Sequence, residues 1–242
     1  MVKYTRIFFE RKKVKLTRKE LKTMSKSQIK GNIAILFIFY LLSLAILRFP
    51  QSIVNFLNVN LHINYQDYWR NFLNGNYIFL SRPDVLFLSG ISGLSGAITL
   101  IFYSPLKYSL SHTYLKITES EKAKFNMLGI GYNEAWGKSI LLFILIQVFT
   151  FLWSLLFIIP GIIKFYSYRM SFFILADNPE ISAADALNES KRIMQGHKFD
   201  LFMLDVSFIW WYVLTFITLG IASIYVIPYV NTTVTNFYRS LK

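Results

Sequence analysis

The chain has 242 residues, of which 54% are hydrophobic, 18% aromatic and only 16% charged, and its mean hydropathy is +0.42. Soluble domains carry about 25% charged residues, so this composition argues against a soluble enzyme, a disordered chain or a secreted scaffold. It predicts an integral membrane protein. The chain has no cysteine, which excludes disulfides, thiolate metal sites and cysteine nucleophiles.

Residues 1–30 form a basic segment with eleven Lys and Arg residues and two acids. Within it, residues 17–30 are typical of a basic helix that would lie on anionic lipid, each cation contributing about 1 kcal/mol. We therefore interpret residues 1–31 as a basic cytoplasmic entry helix. The net charge of +13 also suggests the hypothesis that the chain binds nucleic acid. We expect no nucleic-acid partner, because no recognition motif is present and the cations adjoin a membrane anchor.

Four runs without Asp, Glu, Lys or Arg indicate membrane spans, and two of them are long enough to be helical hairpins. We expect the hairpins to turn at Pro160 and Gly161 and at Gly220, because Pro and Gly interrupt helices most readily at a membrane interface. Residues 32–242 are thus predicted to form one transmembrane domain, an all-α polytopic helix bundle. Its six predicted spans lie near residues 32–49, 85–106, 139–159, 162–176, 200–218 and 221–238. The fourth span is short and either crosses the membrane or is re-entrant.

The distribution of positive charge predicts the orientation of these spans. With six spans, 21 Lys and Arg residues fall on the side of the two termini, against two on the opposite side. Because flanking cations resist translocation, we expect both termini in the cytoplasm. This pattern predicts a multi-pass protein of a cytoplasmic membrane.

The chain contains a candidate internal repeat. When residues 142–166 are aligned without gaps on residues 201–225, ten of the 25 positions are identical, and Gly161 falls on Gly220. The apolar composition inflates chance matches, but this number indicates a duplicated helical hairpin in parallel orientation. Such repeats occur in transporters and in inert bundles, so the repeat by itself favours neither function.

A second amphipathic helix is predicted at residues 182–196, between the two hairpins on the cytoplasmic side. Ser182 is a good N-cap, Asp185 completes a variant capping box, and Gly196 fits a left-handed C-terminal position. The helix is interpreted either as a structural strut or as a docking surface for a partner.

A few polar residues fall inside the predicted spans, where charged groups usually face a partner or a cavity. Arg169 and Asp205 have matched depth and opposite sign, and we predict an ion pair with either a structural or a gating role. Lys164 lies near an outer turn and can reach water. Gln147 and Asn231 are further candidates for a polar lining.

No catalytic motif is present. The three histidines lack metal-ligand spacing, and the chain has no phosphate-binding loop and no hydrolase or zinc-protease motif. We therefore expect no catalytic residues, no metal site, no cofactor and no enzymatic activity.

The second half of the chain resembles a family of uncharacterised bacterial integral membrane proteins, domain-of-unknown-function family 975. The resemblance is dense between residues 155 and 240. It is carried by Pro160–Ile163, Tyr168, Ile174–Pro179, Ala186–Leu187, Glu189–Ser190, Met194, Gly196–Lys198, Leu204, Ser207–Ile209, Trp211, Thr218–Gly220, Pro228–Tyr229 and Phe237–Tyr238. The resemblance implies a multi-span fold in a bacterial membrane, and it transfers no activity and no catalytic residue.

These observations leave two functions open. The first is a non-enzymatic membrane scaffold, a partner-binding subunit or a protective protein of the immunity or envelope-stress type. Its contacts would be with anionic lipid at the cytoplasmic face and with a membrane-protein partner or a second copy. The second is a small transporter or channel whose path is lined by the duplicated hairpins. A membrane enzyme acting on lipid is the least supported, because paired catalytic groups are missing.

Overall fold

The computed structural model of the chain describes residues 16–60, 70–77 and 83–242. The secondary structure of these residues is entirely helical, which confirms the all-α part of the predicted fold. In chain order the α-helices are α1 (Arg18–Gln28), α2 (Ile33–Asn60), α3 (Pro83–Thr118), α4 (Ile130–Glu134), α5 (Trp136–Leu156), α6 (Ile158–Tyr168), α7 (Ser171–Asp177), α8 (Ala183–Ile193), α9 (Lys198–Val206), α10 (Ile209–Ile217) and α11 (Ser223–Leu241). A 3-10 helix (Phe125–Gly129) precedes α4. Residues 1–15 of the basic segment, and residues 61–69 and 78–82 of the loop between the first two predicted spans, lie outside the described residues.

Four helical stretches are long and apolar enough to cross a membrane. Within the described part of the chain they are Ile33–Leu57, Trp136–Leu156, Ile158–Asp177 and Lys198–Ile217. They correspond to the predicted first, third, fourth and fifth spans, which supports the assignment to a membrane. The other two predicted spans lie in α3 and α11, so the number of six remains a prediction.

Helix α1 begins at a capping box that we did not predict. The Thr17 backbone N–H donates to the Glu20 carboxylate at 2.7 Å, and the Glu20 N–H donates to the Thr17 hydroxyl at 3.3 Å. This reciprocal pair satisfies donors that a helix start leaves free. The buried side chains of Leu21 and Ser25 then pack against α11.

Helix α11 buries twelve of its 19 residues, although its sequence contains many polar residues. The hydroxyls of Thr232, Thr233 and Thr235 are fully buried and donate to carbonyls one turn earlier, at 2.7–2.8 Å. These internal bonds satisfy the hydroxyls and allow the helix to pack closely against α1, α2 and α3. Because most of this helix is covered by protein, little of it is left to face lipid.

The turn of the first predicted hairpin lies at a different residue from the one predicted. Helix α5 ends at Leu156, Phe157 alone has an extended backbone, and α6 begins at Ile158. Pro160 and Gly161, which we expected to form the turn, therefore lie inside the first turn of α6. A proline is tolerated there because backbone N–H groups in the first turn have no helical partner.

The second hairpin turns where the sequence predicts it, at Gly220. The helix ends in a Schellman motif: the Gly220 N–H donates to the Thr215 carbonyl at 2.8 Å, and the Leu219 N–H donates to the Phe216 carbonyl at 3.1 Å. Leu219 and Gly220 both have positive φ, +50° and +94°. Gly161 and Gly220 thus occupy different conformations despite their alignment, and the duplication of the hairpin stays a prediction.

Gly161 is required for close packing and not for a turn. A Cβ atom at this position would overlap the Ser154 hydroxyl and lie 3.0 Å from the Ser154 Cα atom. We expect Gly161→Ala to lower the free energy of unfolding by about 2 kcal/mol, because overpacking at a helix contact forces the backbones apart. Thermal unfolding in detergent would measure this change. The double variant with Ser154→Gly should recover most of the loss, and an equal loss in both variants would contradict the packing explanation.

Helix α3 bends over the segment that follows it. Pro105 lies inside the helix, and the Tyr132 hydroxyl donates to the nearby Phe102 carbonyl at 2.6 Å. The Gly131 N–H donates to the Ser109 hydroxyl at 2.9 Å. Helix α4 is thereby held directly against the backbone of α3.

Candidate functional site

The structure brings the side chains of Arg169 and Asp205 together. The guanidinium binds the carboxylate with both terminal nitrogens: Nη1 contacts Oδ2, and Nη2 lies 3.1 Å from Oδ1. Arg169 follows the last residue of α6, and Asp205 lies near the end of α9, so the pair links the two predicted hairpins. The bidentate geometry is the strongest that an arginine and a carboxylate can adopt.

Aromatic rings enclose this ion pair. The Tyr166 hydroxyl donates to Asp205 Oδ2 at 3.0 Å, and the rings of Phe165 and Tyr166 lie 5.9 and 5.8 Å from the guanidinium carbon. The side chains of Arg169 and Asp205 are only 25% and 20% exposed. Both carboxylate oxygens therefore accept hydrogen bonds from within the protein, in a setting that excludes most water.

The other predicted polar residues lie elsewhere. The Lys164 ammonium lies 4.3 Å from the centre of the Trp153 ring, across the first hairpin. The Asn231 amide donates to the Tyr114 hydroxyl at 3.3 Å, which joins α11 to α3. Gln147 lines a groove among other helices. The five residues thus do not form one continuous polar path.

The groove that contains Gln147 has a volume of about 540 Å³ and lies between α2, α3 and α5. It also contains Arg48, which lies one residue before the end of the first predicted span, near residues 32–49. Because α2 extends to Asn60, Arg48 falls well inside the candidate span Ile33–Leu57. The sequence already contains this information, because Arg48 is the only charged residue in Ile33–Asn60.

Helix α8 begins and ends near the predicted caps. The Asp185 N–H donates to the Ser182 hydroxyl at 3.1 Å, and Gly196 has a φ of +81° just beyond the helix. Its apolar face is buried against α5, α6 and α7, and the Ser190 hydroxyl donates to the Ser167 carbonyl at 2.7 Å. Only the outer, polar face of this helix is open to a partner.

Polar contacts close one end of the bundle, formed by α1, residues 115–124 and residues 236–242, which we call the polar end. The buried Asn236 amide donates to the Ser25 hydroxyl at 2.9 Å and to the Gln28 side chain at 2.6 Å. Arg239 donates to the Glu119 carboxylate at 2.6 Å and to the Leu115 carbonyl at 3.1 Å. These contacts join the first and last described helices to the end of α3.

Asp177 is a second anchor for the C-terminal residues. Its carboxylate accepts hydrogen bonds from the Tyr238 hydroxyl at 2.9 Å and from the Lys242 ammonium. The buried Asn32 side chain, at the start of α2, accepts from the Ala123 N–H at 2.9 Å. Reasoning from the sequence missed these anchors, because their partners lie 61–91 residues away.

The contact of Glu119 with Arg239 predicts a pH dependence. The Arg239 hydrogen bond holds the pKa of the Glu119 carboxyl below its ordinary value of about 4.5. Since the folded pKa is depressed, the stabilisation is present above the unfolded pKa and is lost as the pH falls through the folded pKa. We expect Glu119→Gln to reduce the loss of thermal stability between pH 6 and pH 3, by under about 1 kcal/mol because the pair is partly solvated. Identical pH profiles of the two proteins would contradict this contribution.

The described residues contain no group of three or more His, Asp or Glu side chains that could hold a metal ion. His112 lies in α3 and His197 immediately precedes α9, and His62 is outside the described range. A cavity of about 550 Å³ lies at the polar end between α1, the start of α9 and the end of α11. Arg169 and Asp205 line neither this cavity nor the groove beside Gln147.

Comparison with known proteins finds a family match for residues 158–242. A family model described as protein of unknown function (DUF975) matches residues 158–242, which confirms the resemblance over this segment. The matched segment contains Arg169, Asp205, Asp177 and Asn236. No curated protein and no solved structure matches the chain. The family carries no assigned activity.

Proposed function

We propose that this chain is a multi-pass protein of a bacterial cytoplasmic membrane that acts without catalysis, with both termini in the cytoplasm. It works as a scaffold, as a partner-binding subunit, or as a protective protein of the immunity or envelope-stress type. The observation that carries this proposal is the closed Arg169–Asp205 pair, whose two carboxylate oxygens are both occupied by protein donors. Such a pair fixes two hairpins together and leaves little access for a solute.

The distribution of apolar and polar surface supports a membrane setting with one functional end. The hairpin ends expose large apolar side chains, including Phe216 at 85% and Leu219 at 95%, which are favourable only against lipid. The polar end instead presents the basic outer face of α1, with Lys19 and Lys26 exposed, while Leu21 and Ser25 are buried. This face suits anionic lipid at the cytoplasmic surface, and beside it a membrane-protein partner or a second copy of the chain.

Site-specific photo-crosslinking in native membranes tests the partner-binding role. A photoreactive residue at Lys19, on the outer face of α1, or at Ala184, on the outer face of α8, should give a discrete crosslinked protein. The same residue at Leu152, which is exposed on α5, should crosslink only lipid. If the photoreactive residue at Leu152 gave protein crosslinks and those at Lys19 and Ala184 gave none, the proposed contact surface would be wrong. Reporter fusions at the two ends that report opposite compartments would overturn the orientation.

The alternative function is a small transporter or channel. It is favoured by the groove beside Gln147, which places polar groups within the candidate spans. The groove lies between α2, α3 and α5 and involves only one helix of the predicted hairpins. Solute flux in proteoliposomes that depends on Arg169 or Asp205 would support this alternative against the scaffold.

A further inference from the structure

Arg48 is a charged residue at depth in the candidate membrane span Ile33–Leu57. It forms no ion pair with any carboxylate in the described parts of the chain. It lies 15 residues after Ile33 and 12 residues before Asn60, about 22 Å and 18 Å from the two ends of α2 at 1.5 Å per residue. Charged side chains at such depth are costly unless a partner or a water-filled cavity compensates them.

Polar groups of two neighbouring helices line the same groove as Arg48. Gln147 lies nine residues before the end of α5, about 14 Å from it, and Thr99 lies 16 residues after the start of α3, about 24 Å from it. Three helices therefore contribute polar side chains to one groove of about 540 Å³ around Arg48. The groove is lined on its polar side by Arg48, Gln51, Ser92, Ser95, Thr99 and Gln147.

The groove is open on the surface of the bundle. Arg48, Gln51 and Gln147 are exposed, and so are the apolar rim residues Ile144 and Val148. In a membrane, a surface at this depth faces lipid and not bulk water. A ligand that enters from the side must therefore combine an anionic group for the guanidinium with apolar chains for the rim.

We propose that this groove binds one anionic phospholipid, whose phosphate is held by Arg48 and whose acyl chains lie along the rim of α5. The guanidinium donates charge-assisted hydrogen bonds to the phosphate oxygens, and the Gln147 and Gln51 amides supply further donors. The bound phosphate supplies the counter-charge that the described residues do not. This site is distinct from the basic face of α1, which lies at the polar end, and it does not depend on the scaffold role.

Native mass spectrometry of the full chain tests the proposal, with phosphatidylglycerol and phosphatidylcholine as probes. The chain should retain one phosphatidylglycerol through delipidation, with at least tenfold preference over phosphatidylcholine. Arg48→Ala should reduce this retention about tenfold, which is the effect of losing one charge-assisted hydrogen-bonding partner. Lys30→Ala removes one exposed cation that lies two residues after α1, away from the groove, and should leave the retention unchanged.

A second pair of variants tests the groove without changing any charge. Gly96 lines the groove and Gly93 does not, and a Cβ atom at either position would meet no neighbour within 4 Å. Gly96→Leu should fill the groove and reduce phosphatidylglycerol retention about tenfold, and Gly93→Leu should not. This pair remains informative if Arg48→Ala fails to fold.

Three outcomes would overturn the proposal. Equal retention of the two lipids would show that the phosphate charge is not recognised. Unchanged retention in both Arg48→Ala and Gly96→Leu would show that the lipid binds elsewhere, with Arg48 extended toward the membrane surface. Displacement of the lipid by glycerol phosphate at equal concentration would show that the site takes a free phosphate and that the acyl chains contribute nothing.

Discussion

Gly131→Ala is expected to lower the free energy of unfolding by about 3 kcal/mol, near the upper end of overpacking effects. A Cβ atom at this position would overlap the Pro105 carbonyl oxygen and lie 2.8 Å from its carbon and 2.9 Å from the Ser109 hydroxyl. The nearest atoms belong to backbone, so no rotamer change relieves the overlap. Helix α4 must move away from α3, and the hydrogen bonds of Gly131 and Tyr132 to α3 are weakened with it.

Thermal unfolding in detergent measures this effect, with an expected shift of about 6–12 °C for a chain of this length. Gly137→Ala is the matched control, because Gly137 lies six residues later in α5 and a Cβ atom there meets nothing within 4 Å. That variant should be neutral or slightly stabilising, since alanine favours a helix over glycine. Equal stability of the two variants would show that α4 does not pack on α3 as described.

Asp205→Ala is expected to lower the free energy of unfolding by about 2–3 kcal/mol. The substitution leaves the Arg169 guanidinium without a counter-ion beside the Phe165 and Tyr166 rings, and removing one partner of a buried pair is strongly destabilising. This loss of free energy is smaller than the loss expected for a fully buried pair, because the two side chains are 25% and 20% exposed. Glu189→Gln is the control. It breaks the pair with Arg192, which is 71% exposed, and should change stability by under about 0.5 kcal/mol.

Exchanging the charges of Arg169 and Asp205 tests whether the ion pair has a structural role or a gating role. Arg169→Asp combined with Asp205→Arg should restore most of the stability lost in Asp205→Ala, because the attraction between the two positions is retained. If the double variant folds but its crosslinked partner is lost, the purely structural role fails. If it is no more stable than the single variant, the contribution of the pair depends on surroundings that the exchange does not preserve, such as the Tyr166 hydroxyl.

Local patterns predicted several features of the fold correctly, because neighbouring residues determine them. The apolar runs identified four helical stretches that can cross a membrane. Gly220 marked a turn, because a left-handed residue is needed at that position. The spacing and opposite signs of Arg169 and Asp205 led to two residues that the structure places in contact.

Other features were predicted wrongly or missed, because they depend on packing. Pro160 and Gly161 suggested a turn by composition, but the chain turns at Phe157 and Gly161 packs against Ser154. The helical extension of α2 to Asn60 places Arg48 at depth, which a search for charge-free runs overlooked. Asn236 looked like an ordinary polar residue near a helix end, yet it joins α11 to α1.

The sequence by itself determined the class of the protein, an all-helical chain with segments suited to a membrane, and the resemblance of residues 158–242 to one family. Composition and periodicity suffice for this, because each helix satisfies its own backbone hydrogen bonds and its apolar surface is a local property. Only the tertiary structure decided which polar residues meet. In the folded chain the Arg169–Asp205 pair is largely shielded from water, and Gln147 and Arg48 line one groove. The polar helix α11 is mostly buried. These contacts join residues far apart in the chain, and their energies depend on burial and orientation that no local pattern contains.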